Sequence, residues 1–335
     1  MIREAFRHLP GIGPERLAIL RAAGIRTWDD IGDHPPPGLK MGADGWRELR
    51  KAVALCHRAW EQTDLQYLVN AFAIADHWRI LASWFPQASF FDIETTGLSA
   101  DSQVSLIGCY HRQRLHVFIR GKNMADFLDL LDDVTLLVSF NGSSFDVPRV
   151  LEAFHIPALP CPHVDLRWLC YHARLTGGLK RVERSLGIAR PADLAGVEGA
   201  EAVRLWNLWQ KAGIQTAGRK LVRYCCADVL SLQTVAANLL KKCAPDLSYP
   251  IHKPAWDQLD TLPLLTVEKT AQPGSGAHGV DPASGTVPVA ESPAAPDSAR
   301  PGAHSFPGTG GTDTGSLRRR LRRHWRRHRS GTEEA

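Results

Sequence analysis

The chain has 335 residues, 44% apolar and 22% charged, enough to bury a full core in one large domain with extensions. No apolar stretch is long enough to span a membrane, Met1 to Gly11 lacks the apolar run of a secretory signal, and seven scattered cysteines without a Cys-x-x-Cys pair argue against a disulfide framework or a zinc site; a cytoplasmic setting is expected. The net charge of +5 is unevenly placed, because Arg318 to Arg329 carries eight arginines and no acid, so the other residues sum to −3.

In chain order, the first signal is HLPGIGPERLAILRAAGI, a glycine turn at Gly11-Ile12-Gly13 before a helix opened by Pro14 and stopped at Gly24. It resembles a helix-hairpin-helix, whose turn amides grip a nucleic-acid phosphate without reading sequence; a compact helical cap is the plainer alternative. After the proline-rich break from Asp33 to Gly42, helices are predicted over Asp44 to Glu61 and Asp64 to Trp84. Strands are predicted over Ser89 to Glu94, Val104 to His111, Leu115 to Arg120 and Thr135 to Phe140, the first three antiparallel neighbours, with a crossover helix over Met124 to Asp132. A short fifth strand falls in Pro162 to Asp165. The third quarter reads as helical: Val150 to His155, Asp165 to Arg174, Leu179 to Leu186, Glu201 to Lys211 and Arg219 to Leu240. The last of these carries an apolar stripe through Leu221, Cys225, Val229, Leu232, Ala236 and Leu239, with Tyr224 and Asp228 sharing a face beside it. From about Ala271 to Ser316 the composition is too poor in apolar residues to offset ordering entropy, and a disordered tether ending in a basic tip is expected.

Four acids carry the chemistry. Asp92 and Glu94, two apart on a strand, point the same way; Asp146 follows a second apolar run; Asp228 arrives on a helix. If the two runs are adjacent parallel strands, their C-terminal ends bring these acids side by side. Converging carboxylates repel by several kcal/mol, about 4 per pair at 4 Å in a moderate dielectric, and so require a cation. Hard oxygen donors point to Mg²⁺ or Mn²⁺. Each acid alone has a plainer reading as a solvated carboxylate, and Asp146 could simply cap its helix. Asp165 and His163 are expected to be structural, and Trp206 and Trp209 to be core.

Together DIETTGL, FNGSSFD and YCCAD resemble the three motifs of the DnaQ-like, DEDD-type exonucleases. The stretch from Ser89 to about Leu240, with VDLRWLCYHARL and GLKRVERSLGI, is similar to the YprB-type ribonuclease H-like domain. The resemblance implies an α/β fold: a ribonuclease H-like mixed five-stranded sheet flanked by helices, preceded by a small helical region (1–84) and followed, after a domain over 85–245, by a disordered linker and basic tail (246–335). It implies catalytic Asp92, Glu94, Asp146 and Asp228, holding two Mg²⁺ or Mn²⁺ ions, with Tyr224, four residues before Asp228, marking the tyrosine variant. Asp92 would bridge the ions, Glu94 and Asp228 would complete the water-activating site, Asp146 would hold the second ion and Tyr224 would orient the water. Thr95, Thr96, Gly97, Leu98 and Asn141 would face the terminal nucleotide. The implied activity is 3′→5′ exonucleolytic hydrolysis of single-stranded DNA or RNA ends; the alternatives are a structure-dependent endonuclease or RNase, or a silent nucleic-acid-binding module. Further contacts to nucleic acid are expected from Gly11, Ile12 and Gly13, and from Arg318, Arg319, Arg320, Arg322, Arg323, Arg326, Arg327 and Arg329.

Overall fold

Alternation along the first strand decides the layering. In the computed structural model, which describes residues 1–99, 101–246, 249 and 252–262, β1 runs over Ala88–Thr95. Phe91 and Ile93 pack into one core with α5 (Asp126–Leu131) and α6 (Asp146–Phe154); Phe90 packs into a second core on the opposite face. Asp92 and Glu94 therefore share the face of Phe90. That face is covered by α10 (Gln215–Cys243), whose apolar stripe is buried along nearly its whole length.

Five strands form one mixed sheet in the order β3-β2-β1-β4-β5. β2 (Val104–His111) pairs antiparallel with β1 and with β3 (Arg114–Ile119); β4 (Leu136–Ser139) and β5 (His163–Asp165) are parallel to β1. The C-terminal ends of β1, β4 and β5 thus open on one edge. The fifth strand, expected within Pro162 to Asp165, is present with only three residues.

Between them, α7 (Leu166–His172), α8 (Leu179–Ser185) and α9 (Gly199–Ala212) join α10 on one face, and the residues before β1 share their core. Those residues form α1 (Pro14–Ala22), α2 (Ala43–Glu61), α3 (Leu65–Ala71) and α4 (His77–Trp84). Trp206 and Trp209 are buried, as expected.

Two expectations are corrected. The helix predicted over Asp64 to Trp84 breaks at Phe72, whose backbone turns extended so that its ring stacks on His8 at 4.3 Å and meets Trp28 edge-on. The Gly11 turn is preceded by a 3₁₀ turn, Ile2–Glu4, after which Ala5 turns extended and its carbonyl accepts the Trp28 indole N–H at 2.6 Å. Finally, the stretch from 246 is not wholly linker. Trp256–Asp260 forms a 3₁₀ helix tied to α10, with Leu259 buried and its carbonyl accepting from Arg223 at 3.1 Å. The linker from 271 and the basic tip lie outside the described residues. No helix among the described residues is long and apolar enough to cross a membrane.

Candidate metal centre

Close packing of α10 on the sheet delivers the fourth acid. Asp92 pairs in register with Gly108 on β2, and a Cβ at Gly108 would lie 3.0 Å from the Cys225 sulfur and 3.1 Å from a Val229 methyl. The missing side chain lets α10 sit against the strand beside Asp92. Tyr224 and Asp228 then point from one helical face toward the acid pair.

Asp146 comes from the other side. Asn141 takes a left-handed φ of 69°, and a Cβ at Gly142 would meet the Ser139 hydroxyl at 1.9 Å, so the Asn-Gly pair permits the tight turn from β4 into α6. Asp146 does not cap that helix. Phe145 holds the capping position, and the Asp146 carboxylate instead accepts the Ile93 N–H at 3.2 Å, between Asp92 and Glu94. The turn is braced by Asp165, which accepts the amides of Asn141 (2.7 Å), Ser143 (3.0 Å) and Arg167 (3.0 Å) and caps α7. His163 bonds Ser139 at 2.8 Å. Both have the structural contacts expected of them.

The electrostatics are those of crowded acids. Burial, then Asp228, Asp146 and Glu94, push the Asp92 carboxyl well above its ordinary range. Glu94 is raised in the same way by burial and then by Asp228, and burial lifts Asp146 to about 7 against the lowering effect of its amide bonds. Asp92, Glu94 and Cys225 bring one donor atom each within 4.8 Å of one another. Burial and the neighbouring acids push the Cys225 thiol far up, which keeps it protonated and leaves oxygen as the donor. Desolvated oxygen donors of this kind fit a hard divalent cation.

Two cations, and the buried acid that positions one of them, were not singled out from the sequence. Arg190 donates to Asp228 and, at 2.8 and 2.6 Å, to the buried Glu183, which also accepts from Ser231. Lys180 bonds the Tyr224 hydroxyl and lies 3.8 Å from Asp228. Asp228 is therefore engaged by protein cations as well as facing the cluster. The available signal was charge: Asp165 and Glu183 enclose a run with four cations and no acid.

Of the residues expected at the terminal nucleotide, Leu98 is 79% exposed beyond β1. Thr95 donates to the Gly97 carbonyl at 2.7 Å, Thr96 accepts the Gln103 amide at 3.1 Å, and a Cβ at Gly97 would meet the Ser102 hydroxyl at 2.8 Å, so these three build the loop that presents Leu98. The Asn141 side-chain oxygen is taken by Arg167. Gly11 has a φ of 73° and lies with Gly13 on the surface, while Ile12 is buried. The eight tail arginines lie outside the described residues.

Residues 89–240 match a family model described as the RNase_H superfamily. The chain is 27% identical over 237 residues to the "Uncharacterized protein YprB" of Bacillus subtilis (strain 168), a match covering 64% of this chain and 54% of that protein. It thus spans about half the length of this curated relative. Among solved structures, the family B DNA polymerase from the hyperthermophilic archaeon Pyrobaculum calidifontis is matched with 18% identity and a TM-score of 0.36, over 47% of this chain and 24% of that one. With its five-stranded mixed sheet and flanking helices, the matched segment is an RNase H-like domain.

Proposed function

We propose that the chain is a metal-dependent nuclease that removes nucleotides from single-stranded 3′ ends of DNA or RNA. One observation carries this reading: Asp92, Glu94 and Asp146, drawn from a strand and a helix, converge with Asp228 of a second helix, and burial and mutual repulsion oppose the ionisation of the first three. Such a site is costly to keep unless it serves a cation. These four carboxylates would hold two Mg²⁺ or Mn²⁺ ions. When bound, the ions supply a water of lowered pKa and neutralise charge on the scissile phosphate and leaving oxygen.

The protein's own groups do the positioning. Tyr224 is buried and stays a neutral phenol, its pKa pushed up by burial and then by Asp228, Glu94 and Asp92. Since Lys180 donates to its oxygen, the phenolic hydrogen is left to orient a water near Asp228. Leu98 would close over the terminal base. The Gly11–Gly13 turn and the tail arginines would hold the strand by its phosphates.

A silent binding module is the second reading, and it has its own observation: Arg190 already neutralises Asp228. Time-resolved digestion of matched DNA and RNA strands labelled at the 5′ end, with Mg²⁺ or Mn²⁺ and then with EDTA, decides between them. Stepwise shortening that EDTA stops is expected. Internal fragments would give the endonuclease, and binding without hydrolysis in either metal would leave only the module.

A further inference from the structure

The edge that gathers the acids also gathers exposed apolar side chains that the core does not need. Among the described residues seven large apolar side chains are exposed, and four of them lie just past the C-terminal ends of the three parallel strands: Leu98 after β1, Phe145 after β4, Trp168 and Tyr171 after β5. Leu98 lies four residues after Glu94, and Phe145 directly precedes Asp146. Their two loops are joined by Arg149, which donates to the carbonyls of Ser99 (3.2 Å) and Ser102 (3.1 Å) and lies 5.8 Å from the Phe145 ring centre.

Trp168 and Tyr171 sit farther out, two strand positions from β1, or about 10 Å at ordinary strand spacing. They are 39% and 59% exposed on α7 and meet edge to face at 6.5 Å, with the Arg167 guanidinium 5.8 Å from the indole. The stretch of sequence that carries them is basic. Between Asp165 and Glu183, both buried, the chain carries Arg167, Arg174, Lys180 and Arg181 and no acid. On a body whose charge outside the tail is −3, that is a local reversal matched to phosphate. Exposed rings interleaved with arginines, continuous with a phosphodiester-cleaving edge, are the ingredients of sequence-tolerant stacking on a single strand.

We propose that Trp168 and Tyr171 form a base-stacking platform for single-stranded nucleic acid, receiving the nucleotides behind the one held at the carboxylates. It rests on the nuclease reading for its direction, with the terminus at β1 and the body of the strand running over β4 toward α7.

The test uses the full chain, as wild type, Trp168→Ala/Tyr171→Ala, Trp168→Phe/Tyr171→Phe and Arg174→Glu, with a dinucleotide and an octanucleotide of thymidine. Polarisation of the labelled octanucleotide in EDTA reads binding without turnover; kcat/KM in Mn²⁺ reads length preference. The alanine pair should weaken octanucleotide binding about 10- to 100-fold and collapse the preference for the octanucleotide over the dinucleotide. The phenylalanine pair should restore both, and Arg174→Glu should weaken binding with a shallower salt dependence. Octanucleotide binding equal in wild type and the alanine pair overturns the platform and leaves the patch to another partner, such as a protein. Equal loss in the phenylalanine pair overturns stacking, and so does a wild type that binds no octanucleotide. Binding that depends on the rings in a protein that hydrolyses nothing upholds the platform and removes the nuclease reading; hydrolysis without length preference does the reverse.

Discussion

Asp92 shows how a single residue can be unfavourable for the metal-free fold and necessary for the site. Its pKa is raised, as are those of Glu94 and Asp146, so the stability these groups contribute is full below their unfolded values near 4 and is lost as pH rises through the folded values, about 7 for Asp146. His8 and His163, lowered by burial to about 4, act in the opposite sense between roughly pH 6.5 and 4, so the comparison is made between variants at one pH. In EDTA, Asp92→Asn should melt at the same temperature as wild type or higher, its advantage growing from pH 5 to 8. Mg²⁺ or Mn²⁺ at a hundredfold excess over Kd should raise wild-type Tm by about 5–10 °C and the variant's little. A metal-free Asp92→Asn that melts well below wild type would mean that Asp92 holds the fold. Tyr224→Phe removes only the hydroxyl that Lys180 engages; kcat should fall about 10- to 100-fold while the metal-induced Tm shift persists, and an unchanged kcat would make Tyr224 a packing residue. At this scale the sequence was legible where spacing is local: two residues on a strand for Asp92 and Glu94, four on a helix for Tyr224 and Asp228. Lys180, Glu183 and Arg190 were not, since they meet Tyr224, Ser231 and Asp228 across 38 to 48 residues, a proximity that no local pattern encodes.

Elements meet most tightly where α10 crosses its neighbours, and there intrinsic propensity and packing disagree. Gly218 stands within α10, where alanine would ordinarily gain about 1 kcal/mol of helix propensity. A Cβ at that position would lie 2.4–2.7 Å from three atoms of the Trp209 indole, a ring buried in the contact with α9. The clash decides the sign. Gly218→Ala should destabilise by about 1–3 kcal/mol, read as a lower denaturant midpoint at unchanged slope; a variant as stable as wild type would show that α9 can move off α10 without cost. The same scale explains the misjudged boundary in the N-terminal region. Asp64 to Trp84 has the periodicity of one helix, but Phe72 leaves the helix for an aromatic cluster with His8 and Trp28, partners 64 and 44 residues earlier. By contrast β1, β2 and β3 were readable as an antiparallel set, because their turns are short and their pairing is nearly local.

For the whole molecule, the distribution of charge sets the conditions under which a polyanion can approach. Outside Arg318 to Arg329 the residues sum to −3, and the carboxylates, once ionised to hold cations, would place negative charge where the proposed activity requires a phosphate. Ions at the site neutralise it only locally. Attraction over a longer range would therefore fall to the acid-free run at α7 and to the eight arginines of the tail, whose composition and position, unlike the details of the site, are plain in the sequence alone. If the tail contacts phosphates, removing Arg318 to Arg329 should weaken binding by a similar factor for every sequence tested. Each phosphate contact on a single strand contributes about −0.7 to the slope of log K against log salt, so the slope should flatten by at most about 6. The loss should appear in KM and at low salt, and little of it in turnover at saturation, because an arm that gathers substrate does not take part in the cleavage step. Binding titrations of full-length and truncated chains from 50 to 300 mM salt measure both quantities. Identical affinities and slopes would show that the tail does not touch nucleic acid, leaving α7 and the Gly11 turn as the cationic and amide contacts that hold the strand.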